Sequence, residues 1–167
     1  MPRSKSLDLR HYSDTTVHLD RQRDYTHGHV AGYRKPRGFW VSVQGEQDWF
    51  SWCRDEEFRL HRLTVEHVVD LSVGAKILYL ESVDELDSFT LEYGVVEHKT
   101  WGDDIQIDWV RVAGEYDGII IAPYQWDRRL EHDWYYPWDC ASGCIWNLDA
   151  IAAVTPIWVD TTHPLPL

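Results

Sequence analysis

Trp134-Tyr135-Tyr136-Pro137-Trp138-Asp139-Cys140-Ala141-Ser142-Gly143-Cys144-Ile145-Trp146-Asn147 is the stretch on which the reading of this chain turns. It has neither a helical period nor a strict alternation. It joins bulky rings to two thiols, one carboxylate and a run of small residues. A core strand alone would read as Val, Ile and Leu between turn residues. Gly143 to Trp146 fits such a strand. Ala141-Ser142-Gly143 is smaller than packing alone asks for. Small residues beside aromatics suit a site where a flat ligand approaches the backbone. They equally suit a tight turn between two aromatic-rich strands.

Outward from this stretch the elements are short and their order irregular. Strands are expected over Leu7–Tyr12, Phe39–Val43, Val65–Leu71, Lys76–Leu80, Gly118–Ile121 and Val154–Val159. Val17–Tyr25 reads as a short polar helix. Glu46–Arg59 reads as an amphipathic helix with Trp49, Trp52, Cys53 and Phe58 near one face. Ser82-x-x-Glu85 has capping-box spacing and opens a helix to about Tyr93. Ile107–Ala113 is a further short helix. Few helices among many short strands give an α+β fold, not a doubly wound parallel sheet.

The 167 residues fit one domain, with a core over residues 7–158 and loose ends. Ten tryptophans and nine tyrosines fit either a core padded with rings or a cleft that stacks planar groups. A formal charge of −12 argues against non-specific nucleic-acid binding, which rests on a basic face. The basic cluster His27, His29, Arg34, Lys35 and Arg37 is a local exception. No apolar run is long enough to span a bilayer, and the first residues lack the apolar stretch of a signal peptide. With an odd count of three cysteines, reduced thiols in a cytoplasmic, non-membrane protein are the expectation.

Common chemical motifs are missing. Cys140-x3-Cys144 is a single pair, short of the four ligands zinc takes, so two inert buried thiols and no metal are expected. Ser142-Gly143-Cys144 lacks a base beside it and is no nucleophile elbow. Neither a P-loop nor Gly-x-Gly-x-x-Gly is present.

Read together, early and late segments form a pattern. Leu9-Arg10-His11-Tyr12-Ser13 is followed by Gly38-Phe39-Trp40-Val41-Ser42, then by Glu115-Tyr116-Asp117-Gly118-Ile119-Ile120-Ile121, and finally by Cys144-Ile145-Trp146-Asn147-Leu148-Asp149-Ala150-Ile151. This resembles the ADP-ribosyltransferase superfamily in its histidine–tyrosine–glutamate branch. That branch opens with a Tyr-His-x-Thr/Ser strand and a Gly-Leu-Tyr/Trp-x-Ser strand. It continues with a Tyr-Asp-Gly-hydrophobic strand and closes with Val-Val-Phe-Asn-Pro-x-x-Ile. The resemblance spans most of residues 7–158 through short motifs. It implies a split, twisted, mainly antiparallel sheet around a cleft for NAD, which is the substrate.

By the same resemblance, His11 would bind the adenosine-side ribose, with Tyr12 and Ser13 framing that end. Trp40 would pack on nicotinamide, a flat cationic ring attracted to π-density. Ser42 would support its strand within the cleft. The family's catalytic Glu falls on Ser142 here, close to the bond to be cut. Asp139, three residues earlier, could carry the same charge, with Glu131 further back. Arg10 matches a different branch, which holds the NAD phosphates with an Arg on the first strand, but that branch's Ser-Thr-Ser is absent. The basic cluster at 34–37 is a solvated turn, or else a contact for NAD phosphates or a nucleic-acid acceptor. The expectation is an NAD-dependent transfer of ADP-ribose to a macromolecular acceptor, protein or nucleic acid. The alternatives are a non-catalytic nucleotide- or protein-binding module and an acidic inhibitor of a partner protein.

Overall fold

The computed structural model describes residues 6–27 and 35–157. Its strands are β1 (Leu9–Ser13), β2 (Phe39–Val43), β3 (Val65–Leu71), β4 (Ile77–Leu80), β5 (Gly94–Lys99), β6 (Gly102–Ile107), β7 (Gly118–Ile121), β8 (Ser142–Ile145) and β9 (Ile151–Ile157). Its helices are α1 (Trp49–Asp55), α2 (Val83–Tyr93) and α3 (Trp109–Glu115). Seven strands form one sheet in the order β4-β7-β8-β2-β1-β3-β9, and β5 and β6 form a separate antiparallel pair. Only β4 and β7 run parallel within the large sheet. The fold is α+β with a mainly antiparallel sheet.

The centre of the sheet is dry. All four residues of β7 and all four of β8 are buried. α2 and α3 lie in the long crossover between β4 and β7. They bury Leu86, Phe89, Tyr93, Trp109 and Val112 in the core shared with the isoleucines of β7. The Trp134–Trp138 segment belongs to that core too. Trp134, Tyr135 and Trp138 are fully buried, and only Tyr136 faces outward. Trp134 stands edge-on to Phe89 at 5.4 Å and donates its indole N–H to Thr90 Oγ1 at 3.0 Å. A buried indole keeps its place when its one donor is satisfied.

The small residues ahead of β8 have a packing reason after all. A Cβ on Gly143 would stand 2.6 Å from Ile120 Cγ1 and 2.7 Å from the Ile119 carbonyl oxygen. The backbone and side chains of β7 leave that position no volume. Farther along, two segments of the sequence pattern interlock. Asn147 Nδ2 donates to Asp117 Oδ1 at 2.7 Å, and the backbone N–H groups of Trp146 and Asn147 both donate to the Asp117 carbonyl. Trp146 also gives its indole N–H to the Tyr116 carbonyl at 2.6 Å.

Several elements differ from expectation. The helix expected over Glu46–Arg59 is only Trp49–Asp55. Asp48 caps its start by accepting from Ser51 N at 2.8 Å. Asp55, Glu56 and Glu57 then crowd the negative end of the helix dipole, where acids are unfavourable. Val17–Tyr25 holds no helix. It is a strap tied by Val17 N–H to His67 Nε2 at 2.9 Å and by Arg21 to the carbonyls of Leu148 and Ile151. The third helix starts two residues late, because Ile107 ends β6 and Asp108 caps the turn. The β5–β6 hairpin was not foreseen. The capping box at Ser82 and Glu85 is present as expected. Trp158 and Val159 of the expected last strand lie outside the described residues.

Gly143→Ala is expected to lower stability by about 1–3 kcal/mol through overpacking. Gly114→Ala, on an exposed turn of α3 with nothing within 4 Å of a new Cβ, should raise it by about 0.5–1 kcal/mol. Urea midpoints of the two variants measure both, and equal effects would refute the account of Gly143.

Candidate functional site

β1 and β2 pair at only two positions, Leu9 with Val43 and Arg10 with Ser42. Continued in the same register, the ladder would set Tyr12 opposite Trp40, and it does not. The ring of His11 takes up the gap instead. Its Nδ1 lies 2.7 Å from the Trp40 carbonyl oxygen, and the ring stacks on Phe39 at 4.3 Å. A carbonyl only accepts, so Nδ1 carries the proton. Burial lowers the pKa of His11, the Trp40 carbonyl opposes that, and nearby His67 adds to it. The ring is therefore neutral above its ordinary value and has a bare acceptor at Nε2.

Beside this gap the sheet opens onto a cleft of about 390 Å³, within the range of small-molecule sites. Register partners share a face. Arg10 partners Ser42 and Ser42 partners Ser142, so these three stand side by side. Tyr12 and Trp40 follow two positions along their strands. All five line the cleft, together with His11 and Asp139. Of the residues singled out from the sequence, His11, Tyr12, Trp40, Ser42, Asp139 and Ser142 thus meet at one place. Ser13 does not. Its hydroxyl donates to the Thr15 carbonyl and it is outside the cleft lining. Glu131 is also elsewhere, paired with Arg128 at 3.3 Å.

Most hydroxyls here are already engaged. Ser42 Oγ accepts the Trp49 N–H at 2.9 Å, which pins the start of α1 to β2. Ser142 Oγ donates to the Cys140 carbonyl at 3.1 Å. Tyr12 donates toward Glu66 at 3.2 Å and Gln44 at 3.3 Å, and burial raises its pKa, with Glu66 adding to the rise. Arg10 forks onto Asp8 at 2.8 and 2.9 Å, so it is committed away from any phosphate.

Trp40 is one of four rings that line the cleft, with His11, Tyr12 and Trp49. Trp138 meets it edge-on at 4.9 Å from the core side. Lys35 Nζ stands 4.7 Å from its centroid. Burial pushes the Lys35 ammonium below its ordinary pKa, and Asp139 partly restores it. Asp139 shows the converse. Burial raises its carboxyl, while Lys35 and Arg129 favour the charge, the latter at 3.4 Å. Among the described residues that line the cleft, Asp139 is the only carboxylate. Arg59, Arg62, Lys35, Trp49, Val41 and Cys140 complete the lining among the described residues. The sequence had marked Lys35 only as part of a basic turn and Arg59 only as the last residue of a helix, and it had not marked Arg62. The signal of the two arginines was the i, i+3 spacing. His29 and Arg34 of the basic cluster lie outside the described residues, and Arg37 gives its backbone N–H to His27.

Cys140 and Cys144 are buried free thiols, and burial pushes Cys140 up to about 12. Among the described residues no group of three or more His, Cys, Asp or Glu side chains is arranged to hold a metal. No helix among them is long and apolar enough to cross a membrane. A second depression of about 590 Å³ lies between the Arg21–His27 strap and Trp146–Asp149. It is broad, and its rim is a solvated strap, so the smaller cleft with its converging polar groups is the better candidate.

Comparison with protein-family models, with curated proteins and with solved structures gives no match. The functional reading rests on the site.

The neutral His11 predicts a pH dependence. Its pKa is depressed on folding, so the unfolded chain binds the extra proton first. The stability it contributes is complete above 6.5 and is lost as pH falls through the depressed value. His11→Gln should therefore lose less stability than the wild type between pH 7.5 and 5.5, as read by urea midpoints. Identical losses would remove His11 from this role.

Proposed function

We propose that the cleft binds NAD and that the protein transfers ADP-ribose from it to a macromolecular acceptor, either protein or nucleic acid. The observation that carries this reading is convergence. Six side chains chosen for their places in three separate sequence segments line one cavity. The chemistry of that lining suits the reaction. Trp40 offers an aromatic ring to flat cationic nicotinamide, which would take the place over it that Lys35 Nζ holds at 4.7 Å. His11 offers an acceptor to a ribose hydroxyl. As the nicotinamide–ribose bond breaks, nicotinamide leaves with the electron pair and the anomeric carbon takes on oxocarbenium character. Asp139 supplies the negative charge that favours this state. The acceptor nucleophile then forms the new bond and gives up its proton.

A second reading, a nucleotide-binding module without turnover, is favoured by one specific feature. Asp139 stands between Lys35 and Arg129, which already offset its charge, and Ser142 occupies the place where the resemblance expects Glu.

Calorimetry with NAD and an assay of nicotinamide release separate the two. The wild type is expected to bind NAD and release nicotinamide. Trp40→Ala should weaken binding about tenfold, the loss of a desolvated cation–ring contact. Asp139→Asn should leave affinity within about threefold and lower release about 100-fold or more. Binding without release, with any acceptor, would establish the module. Neither binding nor release would remove both readings.

A further inference from the structure

We infer that Arg59 and Arg62 form an anion subsite at the mouth of the cleft, which takes the phosphate groups of a nucleotide. The inference rests on the NAD reading only for the identity of that nucleotide. The subsite itself is argued from three observations.

The first is charge. The chain carries 28 acidic against 16 basic side chains, and four of the ten described arginines are paired with a carboxylate. Arg10, Arg111, Arg128 and Arg129 each hold one within 4.0 Å. Among the described residues the other six arginines have no such ion pair, and of those six only Arg59 and Arg62 line the cleft.

The second is backbone. Arg59 has φ 47° and ψ 38°, and Glu57 has φ 52°, in a region that costs a non-glycine residue about 1–2 kcal/mol. The strain is held by rings beneath. Trp49 stacks on Trp52 at 5.1 Å, Phe58 stands edge-on to both, and Arg59 lies over Phe58 at 5.0 Å. Strain of this kind persists where the surroundings over-determine it, often at ligand clamps.

The third is spacing. Arg59 begins, and Arg62 ends, one 3₁₀ turn closed by Arg62 N–H to the Arg59 carbonyl at 2.8 Å. Residues three apart on such a turn come to one side. Both side chains accordingly line the cleft. Two exposed guanidinium groups lining one cleft repel each other, and a phosphate that takes both relieves the repulsion with paired hydrogen bonds. Arg10 cannot do this, because Asp8 holds it. The ring end of the cleft at Trp40 and the anion end at the arginines together describe a ligand with a flat ring and a diphosphate.

The test is calorimetry with NAD, ADP-ribose, inorganic pyrophosphate and adenosine on the wild type, Arg59→Gln, Arg62→Gln, the double variant and Arg59→Lys. Each Gln variant should weaken the three phosphate-bearing probes about tenfold, and the double variant more than either. Adenosine should bind the same to all, and Arg59→Lys should recover part of the loss. Both side chains are exposed, so unchanged melting curves certify the fold. NAD binding that the double variant keeps in full would overturn the subsite and leave the NAD reading standing. Arginine-dependent binding of pyrophosphate without NAD binding would do the reverse. Failure of every phosphate-bearing probe to bind the wild type would overturn the subsite.

Discussion

The hydrogen bond from His11 Nδ1 to the Trp40 carbonyl is the constraint on which the site depends. Two neighbouring strands part after two pairs, and an orphaned carbonyl is left in the gap. An unpaired buried carbonyl costs free energy comparable to a lost hydrogen bond. The imidazole satisfies it, and the ring itself fills the space by stacking on Phe39. An aliphatic side chain there would fill the gap but leave the carbonyl unmet. With the gap held open, Trp40 turns toward the cleft and Phe39 toward the core. His67 continues the arrangement one strand over. Fully buried, it takes the Val17 N–H at Nε2 and meets the His11 carbonyl at Nδ1. The strap ahead of residue 27 is thereby tied to the same pair of strands.

At the end of β7 and β8 away from Ser142 the anchor is Asp117. Its carboxylate accepts Lys76 N–H and Asn147 Nδ2, and its carbonyl accepts two more donors at the end of β8. β4, β7 and β8 are thus held together near one end by a single residue. The chain between β7 and β8 has no strand of its own to hold it. Burial of Trp134, Tyr135 and Trp138 performs that task, and it fixes the point where Asp139 leaves the core. The ring-rich segment is a foundation for Trp40 and not a cover over it.

The strands were legible because their signals are local. Gly118-Ile119-Ile120-Ile121 can be little else, and Ser82-x-x-Glu85 writes its own helix start. The β5–β6 hairpin was not legible. Its strands carry Glu97, His98, Lys99, Asp103 and Asp104, and these charges leave Val95-Val96 and Ile105-x-Ile107 too short to read as strands by themselves. Gly143 misled for a different reason. Its smallness is set by Ile119 and Ile120, more than twenty positions away, and sequence periodicity does not report cross-strand distance. The site was half visible. His11, Trp40 and Asp139 could be named through a family resemblance. Arg59 and Arg62 could not, because the turn that aligns them exists only once the aromatic cluster has bent the chain out of α1.

The cationic mouth sits on a molecule whose net charge is −12. At a distance a phosphate-bearing molecule meets the field of the whole chain, which repels it. Within about a Debye length it meets the local arginines, which attract it. Arrival and departure are therefore governed by different charges. Added salt lowers the far barrier and hastens capture, and by screening the near attraction it also hastens escape. A ligand that reaches such a cleft exchanges faster in brine than in dilute buffer, even where its equilibrium occupancy changes little.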